Sequence, residues 1–156
     1  MPGETRAGHF LVSTARRLRG PAAGPRRQVL ICEDDPLLAM ELEAGIAEAG
    51  AVCCGTAAGF DEALALADLA RPDLALVDLH LADGPSGARL AAELHDLGAR
   101  VVVLSGSQRI DPRLGRMPHL FLAKPVPALV LQDVLRNLLK ALPGEAAGGT
   151  EGMAGR

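Results

Sequence analysis

The sequence predicts an α/β fold: a parallel β-sheet with helices on both faces. Three observations carry that reading. Short apolar runs alternate with helix-like segments through residues 28–142, and strands alternating with helices close into a parallel sheet. Two of the runs, LALVD (74–78) and RVVVLS (100–105), show no polar alternation, as expected of central strands covered on both faces. Four of the five runs end in charged or hydroxyl side chains, and sheets of this class build their sites at the carboxyl ends of the strands.

The elements follow in order. QVLIC (28–32) is a short apolar strand that runs into Glu33, Asp34 and Asp35. Pro36 to Glu48 reads as a helix, with Leu38, Leu42 and Ile46 at four-residue spacing and Gly50 behind it. Asp35 precedes Pro36, a residue favoured in the first helical turn, and so is a candidate helix N-cap. AVCCG (51–55) is a second, weaker strand, and Phe60 to Ala70 a helix ended by Arg71-Pro72. LALVD leads to a third helix over Gly87 to Leu97, then RVVVLS. Residues 109–117 are ambiguous, HLFLA (119–123) is a strand, and Pro127 to Leu142 is the last helix. Five βα units thus occupy residues 28–142, with a basic arm before (1–27) and a Gly-rich tail expected to be disordered behind (143–156).

The last helix carries more apolar surface than one core-facing stripe requires. Val130, Leu131, Val134, Leu135, Leu138, Leu139 and Leu142 cover about 180° of the wheel, against the ~100° a core-facing helix needs. A homodimer or partner surface accounts for the excess, and so does burial at an edge.

Composition excludes several functions. The chain has 156 residues and neither Trp nor Tyr, so it has little with which to stack the bases of single-stranded nucleic acid. Residues 29–142 hold nine Lys/Arg against sixteen Asp/Glu, an acidic core unlike a direct DNA-binding domain. The six Arg of residues 1–28 form a basic arm. No apolar run approaches the ~20 residues of a membrane span, so no membrane insertion is expected. Three cysteines, Cys32, Cys53 and Cys54, with no secretory signal, point to reduced, buried thiols in a cytoplasmic protein. Cys53-Cys54 lacks partner ligands at zinc-like spacing.

The strand ends gather one kind of chemistry on one rim. Glu33, Asp34 and Asp35 end the first strand, Asp78 the third, Ser105-Gly106-Ser107 the fourth and Lys124-Pro125 the fifth. Lys124 is taken to ride on a central strand. Clustered carboxylates need a neutralising cation or a shared proton. Mg2+ suits them, because it takes oxygen ligands and is typically held by one or two carboxylates plus a phosphate. A lysine and a hydroxyl beside such a metal suit a phosphoryl group, and a carboxylate such as Asp78 can become an aspartyl phosphate.

At this point four motifs resemble one family in order. VLICEDDPLLA, PDLALVDLHL, VVVLSG and FLAKPV are similar to the strand ends of the receiver domain of two-component response regulators, over residues 28–142. The resemblance implies a flavodoxin-like, doubly wound, five-stranded parallel sheet of strand order 2-1-3-4-5. It implies that Asp78 is the phosphoacceptor. It implies that Asp34, Glu33, Asp78 and the backbone carbonyl of His80 hold Mg2+. Lys124, Ser105 and Gly106 would serve the phosphoryl group, and Phe121 occupies the position of the family's aromatic switch. The donor would be a sensor histidine kinase or a histidine phosphotransfer protein, and the output a downstream protein partner in a phosphorelay. A receiver of this kind is a phosphoacceptor rather than a turnover enzyme; an aspartyl-phosphate enzyme would want a second acid where His80 stands.

Two departures bear on output. The loop LHLADGPSG runs one residue longer than the common form, puts Ala82 where proline is usual, and resembles receivers of stress-response regulators. The segment between Ser105 and Lys124 is shorter than usual, so the helix there is expected to be short, irregular or absent. An alternative therefore stands: a receiver-fold interaction module that works independently of phosphorylation. His80 either tunes dephosphorylation or is an exposed loop histidine. Arg109, Arg113 and Arg116 form either a solvated face or a partner patch.

Overall fold

The structure is a computed structural model describing residues 26–107, 109 and 111–143. The elements are β1 (Gln28–Cys32), α1 (Pro36–Glu48), β2 (Val52–Ala57), α2 (Phe60–Ala70), β3 (Leu74–Asp78), α3 (Gly87–Asp96), β4 (Arg100–Ser105), a 3-10 turn (Pro112–Leu114), β5 (Leu120–Ala123) and α4 (Ala128–Ala141). All four strand pairings are parallel, in the order β2-β1-β3-β4-β5. The flavodoxin-like, doubly wound architecture expected from the motifs is the one observed.

Strand alternation builds two cores. Val29, Ile31, Leu76 and Leu104 face Leu42 and Ile46 of α1 and Leu131 and Leu135 of α4. Leu30, Cys32, Val77 and Val103 face Ala63 and Ala67 of α2 and Leu90 and Leu94 of α3. Each strand residue of β3 is therefore buried, with no polar alternation, because helices cover both sides. α1 and α4 meet closely at Gly45: a Cβ there would stand 2.6 Å from Leu131 Cδ2, so a larger residue would require the Leu131 side chain to shift.

Several boundaries shift from the sequence reading. β2 begins one residue late and extends through Thr56 and Ala57, because its pairing with β1 shifts register after Val29 and brings Ala57 opposite Cys32. α3 stops at Asp96, with Leu97 as its cap, and β5 starts at Leu120 rather than His119. α4 starts at Ala128, with Pro127 as N-cap, and ends at Ala141. Lys124 does not ride on a central strand: β5 is the sheet edge, and its residues are exposed or half-buried. Cys53 and Cys54 are half-buried rather than buried. Burial pushes the Cys54 thiol up to about 11 and raises Cys53 as well, so neither offers a thiolate near neutrality.

The opposite end of the sheet is closed by Arg27. Its guanidinium pairs with Asp73 at 3.2 Å and donates to the carbonyls of Leu142 and Pro143 at 3.3 and 2.7 Å. Composition assigned Arg27 and Pro143 to the arm and the tail, but both belong to the folded body. The rest of the arm (1–25) and of the tail (144–156) lies outside the described residues. No helix among the described residues is long and apolar enough to cross a membrane.

Candidate functional site

β1 and β3 are neighbours, so their carboxyl ends deliver Glu33, Asp34 and Asp78 to one point on the rim. One oxygen from each of the three lies within 4.8 Å of the others. Glu33 and Asp78 are buried, at 3% and 6% exposure, whereas Asp34 is exposed. Two buried like charges at this distance need a counter-charge. Lys124 supplies it from the sheet edge, its Nζ lying 2.9 Å from Glu33 Oε2 and 2.5 Å from Asp78 Oδ2. The lysine is held by its backbone too, since its N–H donates to the Ser105 carbonyl at 2.9 Å. The Lys124–Pro125 peptide that follows is cis.

The second oxygen of each carboxylate takes a backbone amide. Glu33 Oε1 accepts from the Asp35 N–H at 3.1 Å, and Asp78 Oδ1 from the His80 N–H at 3.0 Å. Every buried side-chain polar atom among the described residues has a partner. Burial raises the Glu33 carboxyl above its ordinary range, against the lowering effect of the Lys124 and Asp35 hydrogen bonds. For Lys124, burial works to lower the ammonium, but its bonds to Asp78 and Glu33 outweigh that and raise it.

The other residues singled out in the sequence lie around this centre. Asp35 is the N-cap of α1, its carboxylate accepting from Leu37 and Leu38 N–H at 2.9 and 3.4 Å. The three consecutive acids thus divide, two facing the rim centre and one starting a helix. Ser105 is buried, and its hydroxyl accepts from the Ser107 N–H at 3.0 Å and donates to the Ser107 carbonyl at 3.2 Å. Gly106 is exposed, and a Cβ there would meet nothing within 4 Å. Phe121 is 42% exposed on β5, which removes ordinary core packing as its role. His80 is exposed, and so are Arg109, Arg113 and Arg116. Between β4 and β5 the described residues form only the 3-10 turn at Pro112–Leu114, which leaves a recess of about 600 Å³ bordered by His80, Ser105, Arg109 and Arg113.

The motifs give Lys124 to the phosphoryl group and do not foretell that it bonds both Asp78 and Glu33. They also miss Asp83, whose carboxylate accepts from Phe60 N–H at 2.9 Å and from the Ser86 hydroxyl at 2.6 Å. The D-G-P-S run, an acid and a hydroxyl three apart around a turn, was the available signal.

This arrangement agrees with what the chain resembles. The family model for the response regulator receiver domain matches residues 29–136. The phyllosphere-induced regulator PhyR of Methylorubrum extorquens is 45% identical over 67 residues, covering 42% of this chain and 25% of that protein. The transcriptional regulatory protein PdtaR of Mycobacterium tuberculosis is 34% identical over 136 residues, 81% of this chain and 65% of that protein. The chain therefore spans a quarter of the first of these relatives and just under two thirds of the second. Among solved structures, the PhyR receiver domain of Erythrobacter litoralis superposes with a TM-score of 0.67 at 28% identity, covering 78% of this chain and 96% of that one. A response regulator of Burkholderia pseudomallei, solved with a phosphorylated aspartic acid, a calcium ion and citrate, gives 0.62 at 29% identity, with coverages of 73% and 69%.

Proposed function

The chain belongs to the response regulator receiver domain family, and from that premise we propose that Asp78 accepts a phosphoryl group from a phosphohistidine on a sensor histidine kinase or a histidine phosphotransfer protein. The observation that carries this reading is the placement of Lys124 between Asp78 and Glu33, with Asp34 beside them. Asp78 attacks phosphorus through a carboxylate oxygen. The new O–P bond forms as the P–N bond breaks, and the electron pair leaves on the imidazole nitrogen. Lys124 moves from carboxylate to phosphoryl oxygens as negative charge shifts onto them. Ser105 exchanges its bonds to Ser107 for one to the phosphoryl group. Catalysis here is positioning and charge neutralisation, since the chain itself has no other bond to make.

The donor set fits a hard divalent cation such as Mg2+: three carboxylates converge, and the His80 carbonyl follows Asp78 by two residues. Glu33, Asp34, Asp78 and that carbonyl would hold it. When bound it supplies positive charge to the transferring phosphoryl oxygens.

The output is read by a protein partner, with the β5 edge and the outer face of α4 as the surface. Leu120, Phe121, Leu129 and Val130 are exposed there, while Leu131 and Leu135 behind them fill the core. Much of the last helix's wide apolar arc is taken up by burial at the edge, with Leu138 and Leu139 packed partly against the core, and the exposed Leu129 and Val130 are what is left for a homodimer or partner surface. The reduced segment between β4 and β5 bears on the alternative of a phosphorylation-independent module, because a usual switching helix is not formed by its described residues.

The test is intact mass after incubation with a small acyl phosphate and Mg2+. One phosphoryl group per chain is expected, lost with chelator or with Asp78→Asn. Partner binding that is unchanged by Asp78→Asn would favour the phosphorylation-independent module instead.

A further inference from the structure

α2 begins without a cap of its own. Its N-cap residue is Gly59, which has no side chain to accept the open amides of the first turn. Asp83, 23 residues further along the chain, fills that role from another loop, with Oδ2 2.9 Å from the Phe60 amide. The same carboxylate uses Oδ1 to accept the Ser86 hydroxyl at 2.6 Å, so it closes its own turn while it caps the helix. A second link runs in parallel, from the Ala82 N–H to the Ala58 carbonyl at 2.9 Å. From the other side, the Arg89 guanidinium of α3 lies 4.3 Å from the Phe60 ring centroid. The capped turn is thus gripped by the loop before α3 and by α3 itself.

That loop starts at the phosphoacceptor. Leu79 and Leu81 are buried beneath it, and the Gly87 N–H returns to the Leu79 carbonyl at 3.1 Å. His80 sits between these anchors, donating its N–H to Asp78 Oδ1. Asp83 is itself exposed, and its bonds to Ser86 and Phe60 hold its carboxyl below the usual carboxylate range. It is a charged cap beside the positive end of α2.

We propose that Asp83 is a positioning residue for phosphoryl acceptance: by capping α2 from across the rim it fixes the 79–86 loop, and with it the His80 backbone against Asp78. The role rests on Asp78 being the acceptor. It separates two functions within one acidic rim: Glu33, Asp34 and Asp78 meet the cation and the phosphoryl group, and Asp83 meets only backbone and Ser86. A cap that served stability alone would leave the site's affinity untouched, which makes the two roles separable.

The experiment compares the full chain with Asp83→Ala, Asp83→Asn and Asp34→Ala, and with Arg27→Ala as a control destabilised at the far end. Mg2+ affinity is read by calorimetry, phosphoryl uptake from a small acyl phosphate by intact mass, and the His80 amide by NMR, all well below each variant's melting temperature. Asp83→Ala should weaken Mg2+ binding about tenfold, the size seen when groups that orient metal ligands are removed. It should also slow uptake and shift the His80 amide, with Asp83→Asn recovering part of the loss and Arg27→Ala matching the parent. Wild-type Mg2+ affinity and an unmoved His80 amide in folded Asp83→Ala would overturn the proposal, and loss of affinity in Asp34→Ala in the same series would leave the function standing. A parent chain that takes up no phosphoryl group overturns both.

Discussion

Lys124 reaches back 91 residues along the chain to hold Glu33, with Nζ 2.9 Å from Oε2. The contact closes the rim between the edge strand β5 and β1, which the sheet itself keeps apart by two strands. Glu33 is thereby both a candidate cation ligand and a partner of the lysine that would meet the phosphoryl group.

Removing the lysine should leave Glu33 and Asp78 as buried, unpaired neighbours. Breaking a buried pair costs roughly 3–5 kcal/mol, and less here because the Lys124 side chain is 22% exposed. Lys124→Met should therefore lower stability by about 2–3 kcal/mol in magnesium-free buffer. Urea unfolding followed by circular dichroism measures it, since the chain has no Trp or Tyr for an intrinsic signal. Added Mg2+ should recover part of the loss, because a ligand of the folded state alone stabilises it.

The pH dependence has a definite sign. Burial, joined by the Asp78 charge, raises Glu33 above its ordinary 4.5. Its contribution to stability is therefore complete below 4.5 and is lost as pH rises through the folded value. A cation must displace that proton, so Mg2+ affinity should increase with pH across the same window, with proton release. Lys124 is also raised, so its contribution is present below 10.5 and fades as pH climbs through the folded value. Calorimetry in buffers of different ionisation enthalpy reads the released proton; no uptake or release across that window would contradict the assignment.

Gly87 should tolerate no side chain. A Cβ there would stand 2.0 Å from the Asp78 carbonyl oxygen and 2.4 Å from Leu79 Cα, both backbone atoms that cannot swing aside. Gly87→Ala should cost about 1–3 kcal/mol, as overpacking does. It should also slow phosphoryl uptake, because the displaced backbone is that of Asp78 itself. Thermal melting and intact mass on one preparation test both effects.

Ser105→Ala should uncouple acceptance from signalling. The Ser105 hydroxyl holds Ser107, and the Ser107 hydroxyl in turn accepts the Arg109 N–H at 3.2 Å. Taking Ser105 toward a phosphoryl group frees Ser107 and, through it, the Arg109 amide. The variant should still be phosphorylated, but beryllofluoride should no longer shift the Ser107 and Arg109 amides. Equal shifts in variant and parent would contradict the switch role.

The fold was legible in the sequence because its signals are local. Apolar runs without polar alternation marked β3 and β4, and Pro36 behind Asp35 marked the start of α1 to the residue. The rim residues were legible because a strand's last residue is placed by the strand. What escaped was set by pairing across the sheet. The extension of β2 to Ala57 follows from register with β1, whereas the exposure of β5 was already implicit in the expected strand order, which sets β5 at the edge. Lys124 to Glu33, Asp83 to Phe60 and Arg27 to Pro143 join segments 91, 23 and 116 residues apart, and no spacing rule encodes such contacts.

Borohydride reduction of the protein, after treatment with a small acyl phosphate and Mg2+, reads the phosphorylated residue itself. Reduction converts an aspartyl phosphate to homoserine, and peptide mass spectrometry then locates it. Homoserine is expected at position 78, and none when the treatment is done with chelator. Homoserine at Asp34 or another acid, or none at all in a protein that binds Mg2+, would contradict Asp78 as the acceptor.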